Sequence, residues 1–272
     1  MKLFRKEQSP NGRRRIYFCG IKVMSYRKKT TEIRSLNEFY ETLEKSINQN
    51  TRFLLKVSNL DSKVFPKYKN INKDNTVVLI GTGPSLNQYK PIEHAVYVGV
   101  NRAIEYNKVK FDYFFIQDFL YPEYLSRLNE YVGNNCKKFY GLLNDPALNK
   151  VSTIPESESI EAKAERYYCN QNRQGMPVYD LSTEPFFNSG SVALVAMQFI
   201  LWTNPKRIYL VGCDTNLSGH YNGQQNNLRV NNVLNGWNLI KDFTDVYYPK
   251  TEIISVNPVG LKKMFKDEYT ND

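Results

Sequence analysis

The sequence predicts an α/β fold, a single mostly parallel sheet with helices on both faces, and three observations carry that expectation. Short apolar runs recur at 76–81, 95–100, 111–116, 207–212 and 252–256. Their apolar character is continuous rather than alternating, the mark of strands buried on both faces. Helical patterns at 121–132, 190–202 and 229–244 fall between them, and strands that alternate with helices build parallel sheets. With 272 residues, 41% hydrophobic and 14% aromatic, the chain can fill one large or two small cores.

Taken in order, the chain opens on a basic segment, and then Leu36, Phe39, Tyr40, Leu43 and Ile47 follow at helical spacing behind Ser35 and Glu38, a capping box. This predicts an amphipathic helix over 32–49. A Lys- and Asn-rich stretch at 65–75 reads as a connector, so residues 1–70 form a basic N-terminal segment with its helix, and 71–272 form the main domain. The stretch 145–184 is polar and weakly periodic, and is expected to be an insertion or lid rather than sheet core. No internal repeat is found.

Several classes are excluded. The longest nearly unbroken apolar run, 192–202, has eleven residues and includes Gln198, well short of the ~20 needed to span a bilayer. The apolar stretch 16–26 is broken by Lys22 and offers no small-residue cleavage site, so no signal peptide is expected. Cys19, Cys136, Cys169 and Cys213 lie far apart, without disulfide or zinc spacing. A cytoplasmic location is the expectation.

The net charge of +10 is concentrated: residues 1–30 hold ten Lys or Arg against the single acid Glu7. Ile16, Tyr17, Phe18, Ile21, Val23, Met24 and Tyr26 are interleaved with them, a pattern suited to an anionic membrane surface. A solvated basic tail followed by an edge strand is the plainer alternative. Nucleic acid is not expected, since no helix-turn-helix, RNP-like motif or zinc module accompanies the charge.

Candidate site residues cluster where apolar runs end. In Gly81-Thr82-Gly83-Pro84-Ser85-Leu86 a buried strand exits into two glycines and a serine, which suits close backbone approach to a phosphate with Ser85 adding a hydroxyl. The motif lacks the third glycine of a dinucleotide fingerprint and the GK[ST] of a P-loop, so a tight structural turn is its alternative. Asn188-Ser189-Gly190-Ser191 precedes an apolar helix whose first N–H groups suit an anion, or is a plain cap. The run at 207–212 leads into Cys213 and Asp214, then Asn216, Ser218, His220 and Tyr221. His220 is one of two histidines and the natural general base, while His94 reads as an ordinary surface histidine. Asn101 and Gln117-Asp118 place further polar groups directly after strands, and this convergence suits a nucleotide pocket.

No Asp-x-Asp triplet occurs, and neither the histidines nor the cysteines suggest a metal constellation. A diphosphate leaving group usually wants a divalent cation, whereas helix N–H groups can hold a monophosphate. A nucleoside monophosphate leaving group and no metal cofactor are therefore expected.

In this order the residues resemble the bacterial sialyltransferases of glycosyltransferase family 42 and the related Maf-type flagellin-modifying proteins. The resemblance rests on Gly81, Gly83, Pro84, Ser85 and Leu86, then Asn101, then Ser189-Gly190, then the IYLxGxD run of Ile208, Tyr209, Leu210, Gly212 and Asp214. It implies a Rossmann-like, GT-A-like, metal-independent inverting transferase that moves a nonulosonic acid from a CMP-sugar to a glycan acceptor of lipooligosaccharide or capsule. By that analogy Gly81, Thr82, Gly83, Pro84, Ser85, Asn101, Gln117, Asp118, Asn188, Ser189, Gly190 and Asp214 would hold CMP. His220 would deprotonate the acceptor, with Asp214 and Tyr221 beside it and Tyr247 or Tyr248 as further phosphate donors.

Two departures stand out. His220 follows Asp214 by only six residues, whereas the family's histidine lies well beyond this strand. Glu184-Pro-Phe-Phe187 stands where the family commonly has an arginine for the sugar carboxylate, so Arg102, Arg166 or Arg173 would have to serve. Residues 15–26 resemble the starts of surface-polysaccharide glycosyltransferases, which with the basic charge places the enzyme peripherally at the inner face of a bacterial inner membrane, on a lipid-linked acceptor. A homo-oligomer is left open. Two alternatives share the scaffold: a Mg-dependent pyrophosphokinase or other nucleotide-using enzyme, and a non-catalytic nucleotide-binding subunit of a polysaccharide assembly complex.

Overall fold

The structure, a computed structural model, describes residues 4–8, 13–18, 21–27, 36–117, 128–143, 154–170, 175–225 and 229–270. By the density of contacts the chain forms two compact units, 1–53 and 54–272. In the first, strands β1 (Phe4–Gln8), β2 (Arg13–Phe18) and β3 (Ile21–Arg27) form an antiparallel sheet in that order. Arg15 stands opposite Glu7 on one side and Ser25 on the other. The basic segment is thus a paired sheet over these strands, because the β-branched and aromatic residues among its charges favour extended backbone.

Helix α1 (Leu36–Val64) covers 29 residues, longer than the predicted 32–49. Behind it, the expected connector at 65–75 holds core: Phe65 is fully buried and Tyr68 nearly so, and both lie edge-on to Phe199. A Lys-rich stretch hid two aromatic anchors.

In the second unit the five predicted runs become β4 (Thr76–Ile80), β5 (Val96–Val100), β6 (Tyr113–Ile116), β10 (Arg207–Val211) and β11 (Glu252–Val256), and four strands the sequence did not announce join them, β7 (Lys137–Leu143), β8 (Glu165–Asn170), β9 (Phe186–Phe187) and β12 (Lys266–Glu268). They form one parallel nine-stranded sheet in the order β12-β11-β10-β4-β5-β6-β7-β8-β9. The helices are α2 (Leu128–Val132), α3 (Glu156–Glu161), α4 (Val192–Trp202) and α5 (Val230–Tyr247). Part of the predicted helix at 121–132 lies outside the described residues.

Alternation along β4 shows how the core divides. Val77 and Leu79 join the face covered by α4 and α5, while Val78 and Ile80 join Leu128, Val132, Ile104 and Ile154 on the other. Every residue of α4 is buried. Its one amide, Gln198, is fully used: Nε2 donates to the carbonyls of Phe187 (2.8 Å) and Leu194 (2.9 Å), and Oε1 accepts from the N–H groups of Phe187 (3.1 Å) and Val178 (3.3 Å). Polar groups so buried are tolerated only when paired in this way.

The stretch 145–184 departs from its expected role. Within it β8 pairs with β7, and Tyr167, Cys169 and Leu181 are fully buried. The charges that disguised β8 are matched, Glu165 by Lys67 (2.5 Å) and Arg166 by Glu156 (3.6 Å).

The strand order reverses between β4 and β10. From β4 the chain builds outward through β5 to β9, crosses back through α4, and builds the other way from β10. Such a switch point leaves a crevice at the carboxyl ends of the two strands, where ligands of open α/β sheets bind.

Candidate functional site

At that crevice the exits of β4 and β10 are laced together. The N–H of Gly81 donates to Val211 O and that of Gly83 to Gly212 O, both at 2.7 Å. A Cβ on Gly81 would sit 2.4 Å from Gly212 O, and one on Gly83 would sit 2.3 Å from the Asp214 carboxyl carbon. The glycines therefore serve close strand packing, and the two N–H groups expected to meet a phosphate meet strand carbonyls instead.

Above this floor lies a cavity of about 500 Å³. The structure brings Gly81, Thr82, Gly83, Asn101, Gln117, Asn188, Gly190, Asp214 and His220 to its wall, from the exits of β4, β5, β6, β9 and β10. Pro84, Ser85, Ser189 and Tyr221 stand outside the wall, and Asp118 lies outside the described residues. Ser85 gives its hydroxyl to Asp214 Oδ1 and its N–H to Oδ2 (2.9 Å). Ser189 gives its hydroxyl to Asn232 O at 2.7 Å. Both serines thus hold loops in place. Tyr221 donates its N–H to Thr82 O (2.8 Å) and sets its ring edge-on to Tyr106. Tyr247 packs on Tyr179 and Phe243 away from the wall, and Tyr248 is likewise outside it. His94 is exposed.

The rim from Asn188 to Ala193 is built by local chemistry. Asn188 Oδ1 accepts the Gly190 N–H at 2.8 Å, and Gly190 takes φ +91, a left-handed conformation glycine adopts without strain. Ser191 then caps α4 by accepting the Ala193 N–H. Gly190, Ser191, Val192 and Ala193 all line the cavity, so the positive dipole end of α4 borders it, although the N–H groups of Gly190, Ala193 and Leu194 are already taken by Asn188 and Ser191.

Gln117 is 5% exposed, lines the cavity, and its Oε1 has no hydrogen-bond partner among the described residues. Asn101 Oδ1 accepts the Gln117 N–H (3.4 Å) and ties the exits of β5 and β6. A buried amide oxygen without a partner is rare in a folded protein, which marks Gln117 as a residue of the site.

His220 holds Nδ1 2.9 Å from Thr82 Oγ1. With Nδ1–H donating to that hydroxyl, Nε2 is the basic nitrogen. Burial lowers the pKa of His220 below the ordinary imidazole value, the Arg102 charge lowers it further, and Glu105 and Thr82 work in the opposite direction. The ring is therefore neutral near pH 7, as a proton acceptor must be. Burial pushes the Asp214 carboxyl up, against the two Ser85 bonds that pull it down.

Asn216, expected in the polar loop after β10, also lines the cavity, whereas sequence reasoning missed Trp237 and Val233 from α5, and Thr215 and Gln225 from that loop. The available signal was the pairing of one of the chain's two tryptophans with a valine four residues earlier on a helix that abuts the switch point. Of the three candidate arginines, Arg102 lines the cavity, Arg166 reaches Glu156 and the Ile154 carbonyl elsewhere, and Arg173 lies outside the described residues. Among the described residues no group of three or more His, Cys, Asp or Glu is arranged to hold a metal ion, and no helix is long and apolar enough to cross a membrane.

No family model and no curated protein matches the chain. Among solved structures it is similar to the sialyltransferase CstII from Campylobacter jejuni in complex with cytidine-5'-monophosphate, at 13% identity and TM-score 0.43, covering 67% of this chain and 80% of that one. CstII in complex with CMP-3FNeuAc gives 13% identity and TM-score 0.41, over 72% and 86% of the two chains. The monofunctional α-2,3-sialyltransferase Cst-I from the same organism gives 12% and 0.44, over 68% and 76%.

Proposed function

We propose that the chain is a metal-independent, inverting glycosyltransferase that moves a nonulosonic acid from a CMP-sugar to a glycan acceptor of lipooligosaccharide or capsule. The observation that carries the proposal is the juxtaposition, on one switch-point cavity, of a histidine held at Nδ1 by Thr82 and the N-terminal end of α4. The sequence resemblance built on GxGPSL and IYLxGxD points to the same chemistry.

In this reading the acceptor hydroxyl gives its proton to His220 Nε2 as its oxygen bonds to the anomeric carbon. The bond from that carbon to the phosphate oxygen breaks, and CMP leaves with the electron pair. The first turn of α4 stabilises the departing phosphate. Gln117 and Asn101 orient the nucleotide, and Asp214 keeps the β4 and β10 loops in register.

Replacing His220 with Ala should abolish transfer while leaving the thermal shift with CMP intact, and a fully active variant would reject its role. Screening CMP, UDP and GDP by thermal shift tests the nucleotide, since a ligand far above its Kd raises apparent stability by about 3 kcal/mol. Transfer that persists in EDTA would separate this reading from a Mg-dependent pyrophosphokinase.

We assign the basic segment 1–30 to the anionic inner face of the membrane, where lipid-linked glycans are met. Flotation with phosphatidylglycerol vesicles should fall when Arg13, Arg14 and Arg15 are replaced by Ser; unchanged flotation would remove the assignment.

A further inference from the structure

Three strand exits turn through the left-handed region, at Asn101 after β5 (φ +44), at Thr215 beyond β10 (φ +47) and at Asn257 after β11 (φ +47). Asparagine tolerates that conformation through local bonds of its short amide, whereas a branched Cβ crowds the following carbonyl oxygen. Of the nine described non-glycine residues with positive φ, five are Asn or Asp, and Thr215 alone is β-branched. The chain thus sets a strained residue at the β10 exit where the other two exits carry a tolerant one.

The turn at Thr215 is imposed from both sides. Asp214 before it is pinned by the hydroxyl and N–H of Ser85, and its carbonyl takes the Gly260 N–H at 2.7 Å. The segment after β11 lies so close that a Cβ on Gly260 would stand 2.5 Å from the Thr215 carbonyl oxygen and 2.6 Å from that of Asp214. Neither peptide has room to turn over, so the backbone keeps this conformation whichever side chain it bears. Strain of this kind survives only where the surroundings over-determine it, and it clusters at ligand clamps.

The threonine side chain is therefore what the strained turn serves. Thr215 is 8% exposed and lines the cavity. Its hydroxyl donates to the Cys213 carbonyl at 3.2 Å, which uses its one hydrogen and leaves the oxygen as an acceptor. We propose that Thr215 is a specificity residue, its Oγ1 accepting the hydroxyl hydrogen of a sugar bound at the β10 end of the cavity. The proposal rests on the transferase reading and deepens it. In that reading Asn101 and Gln117 orient the nucleotide at the β5 and β6 exits, and His220, on the loop after β10, marks the opposite end as the place of glycosyl transfer. An oxygen with no hydrogen to give discriminates, because a ligand lacking the matching hydroxyl leaves a buried acceptor unpaired.

The test separates the hydroxyl from the branch. Thr215→Ser keeps the hydroxyl, Thr215→Val keeps the branch, and Thr215→Asn suits the left-handed turn. Thermal unfolding should rise by about 2–6 °C for Thr215→Asn and should not rise for Thr215→Val. CMP binding should stay within about threefold of wild type in all three variants, which shows them folded with the nucleotide end intact. The kcat/KM for CMP-N-acetylneuraminate should fall about 10- to 100-fold in Thr215→Val and little in Thr215→Ser. A loss already present with water as the acceptor assigns the hydroxyl to the donor sugar, and a loss seen only with added lipooligosaccharide assigns it to the acceptor. Full turnover by Thr215→Val in both assays, or no gain in stability for Thr215→Asn, overturns the proposal. Loss of CMP binding along with turnover in Thr215→Val makes the role structural and overturns it as well. A wild-type chain that neither binds CMP nor releases it from the donor overturns the transferase reading instead, an outcome distinct from these because each of them leaves wild-type turnover intact.

Discussion

The Asp214 carboxylate holds Ser85 at two points, taking its hydroxyl on one oxygen and its N–H on the other. The two residues lie 129 positions apart, and their bonds brace the exits of β4 and β10 across the place where the strand order reverses. Ser85 therefore acts on the shape of the cavity without reaching into it.

Ser85→Ala removes one strut and leaves a buried carboxylate with half its partners. Urea unfolding should show a loss of about 1–3 kcal/mol, and CMP affinity should fall less than tenfold once the protein is folded. A variant of unchanged stability with lost CMP binding would make Ser85 a direct ligand contact.

Gly83→Ala places a methyl group 2.3 Å from the Asp214 carboxyl carbon, within the van der Waals shell of both atoms. The brace must open. Thermal unfolding should shift down by several degrees, and the stabilisation by CMP should be lost along with it.

Thr82→Val keeps the shape of the residue and removes the hydroxyl on His220 Nδ1. The rate constant should fall about 10- to 100-fold with little change in KM, since misorientation of a base affects the chemical step. The pH profile supplies the second check. Burial and Arg102 hold the His220 pKa below the ordinary 6.5, so in the wild type the rate should decline only as pH drops beneath that value.

Asp61 is fully buried, and burial raises its carboxyl pKa to about 8 against a Tyr168 backbone bond that lowers it. A raised acid binds its proton more tightly folded than unfolded, so its contribution is complete below pH 4 and is lost as pH climbs toward 8. Stability from urea melts should fall over that window by a few kcal/mol, and Asp61→Asn should flatten the decline.

The inner strands were legible because burial on both faces writes itself as unbroken apolar runs, as in β4 and β10, and α4 announced itself by its length and the Ser191 cap. The flanking strands were not. β7 begins Lys137-Lys138, β8 begins Glu165-Arg166, and β12 is Lys-Asp-Glu, and their charges find partners that only the fold supplies, as where buried Lys138 donates to Asn129 Oδ1 and Glu165 meets Lys67. At the site, polar residues after apolar runs located the strand exits, since backbone leaving a sheet must find new partners. Which partner each side chain takes was not written there: Ser85 and Ser189 have local bonds that pre-empt a ligand, and Arg102 gains its place from the turn that carries it.

The amide of Gln198 joins the last strand of the sheet to the helix whose first turn rims the cavity, and Phe187 immediately precedes Asn188. The border of the molecule and the mouth of its pocket consequently share a single fastening. Anyone wishing to retune what the pocket accepts should leave residue 198 untouched, because altering it would unmoor the doorframe along with the door.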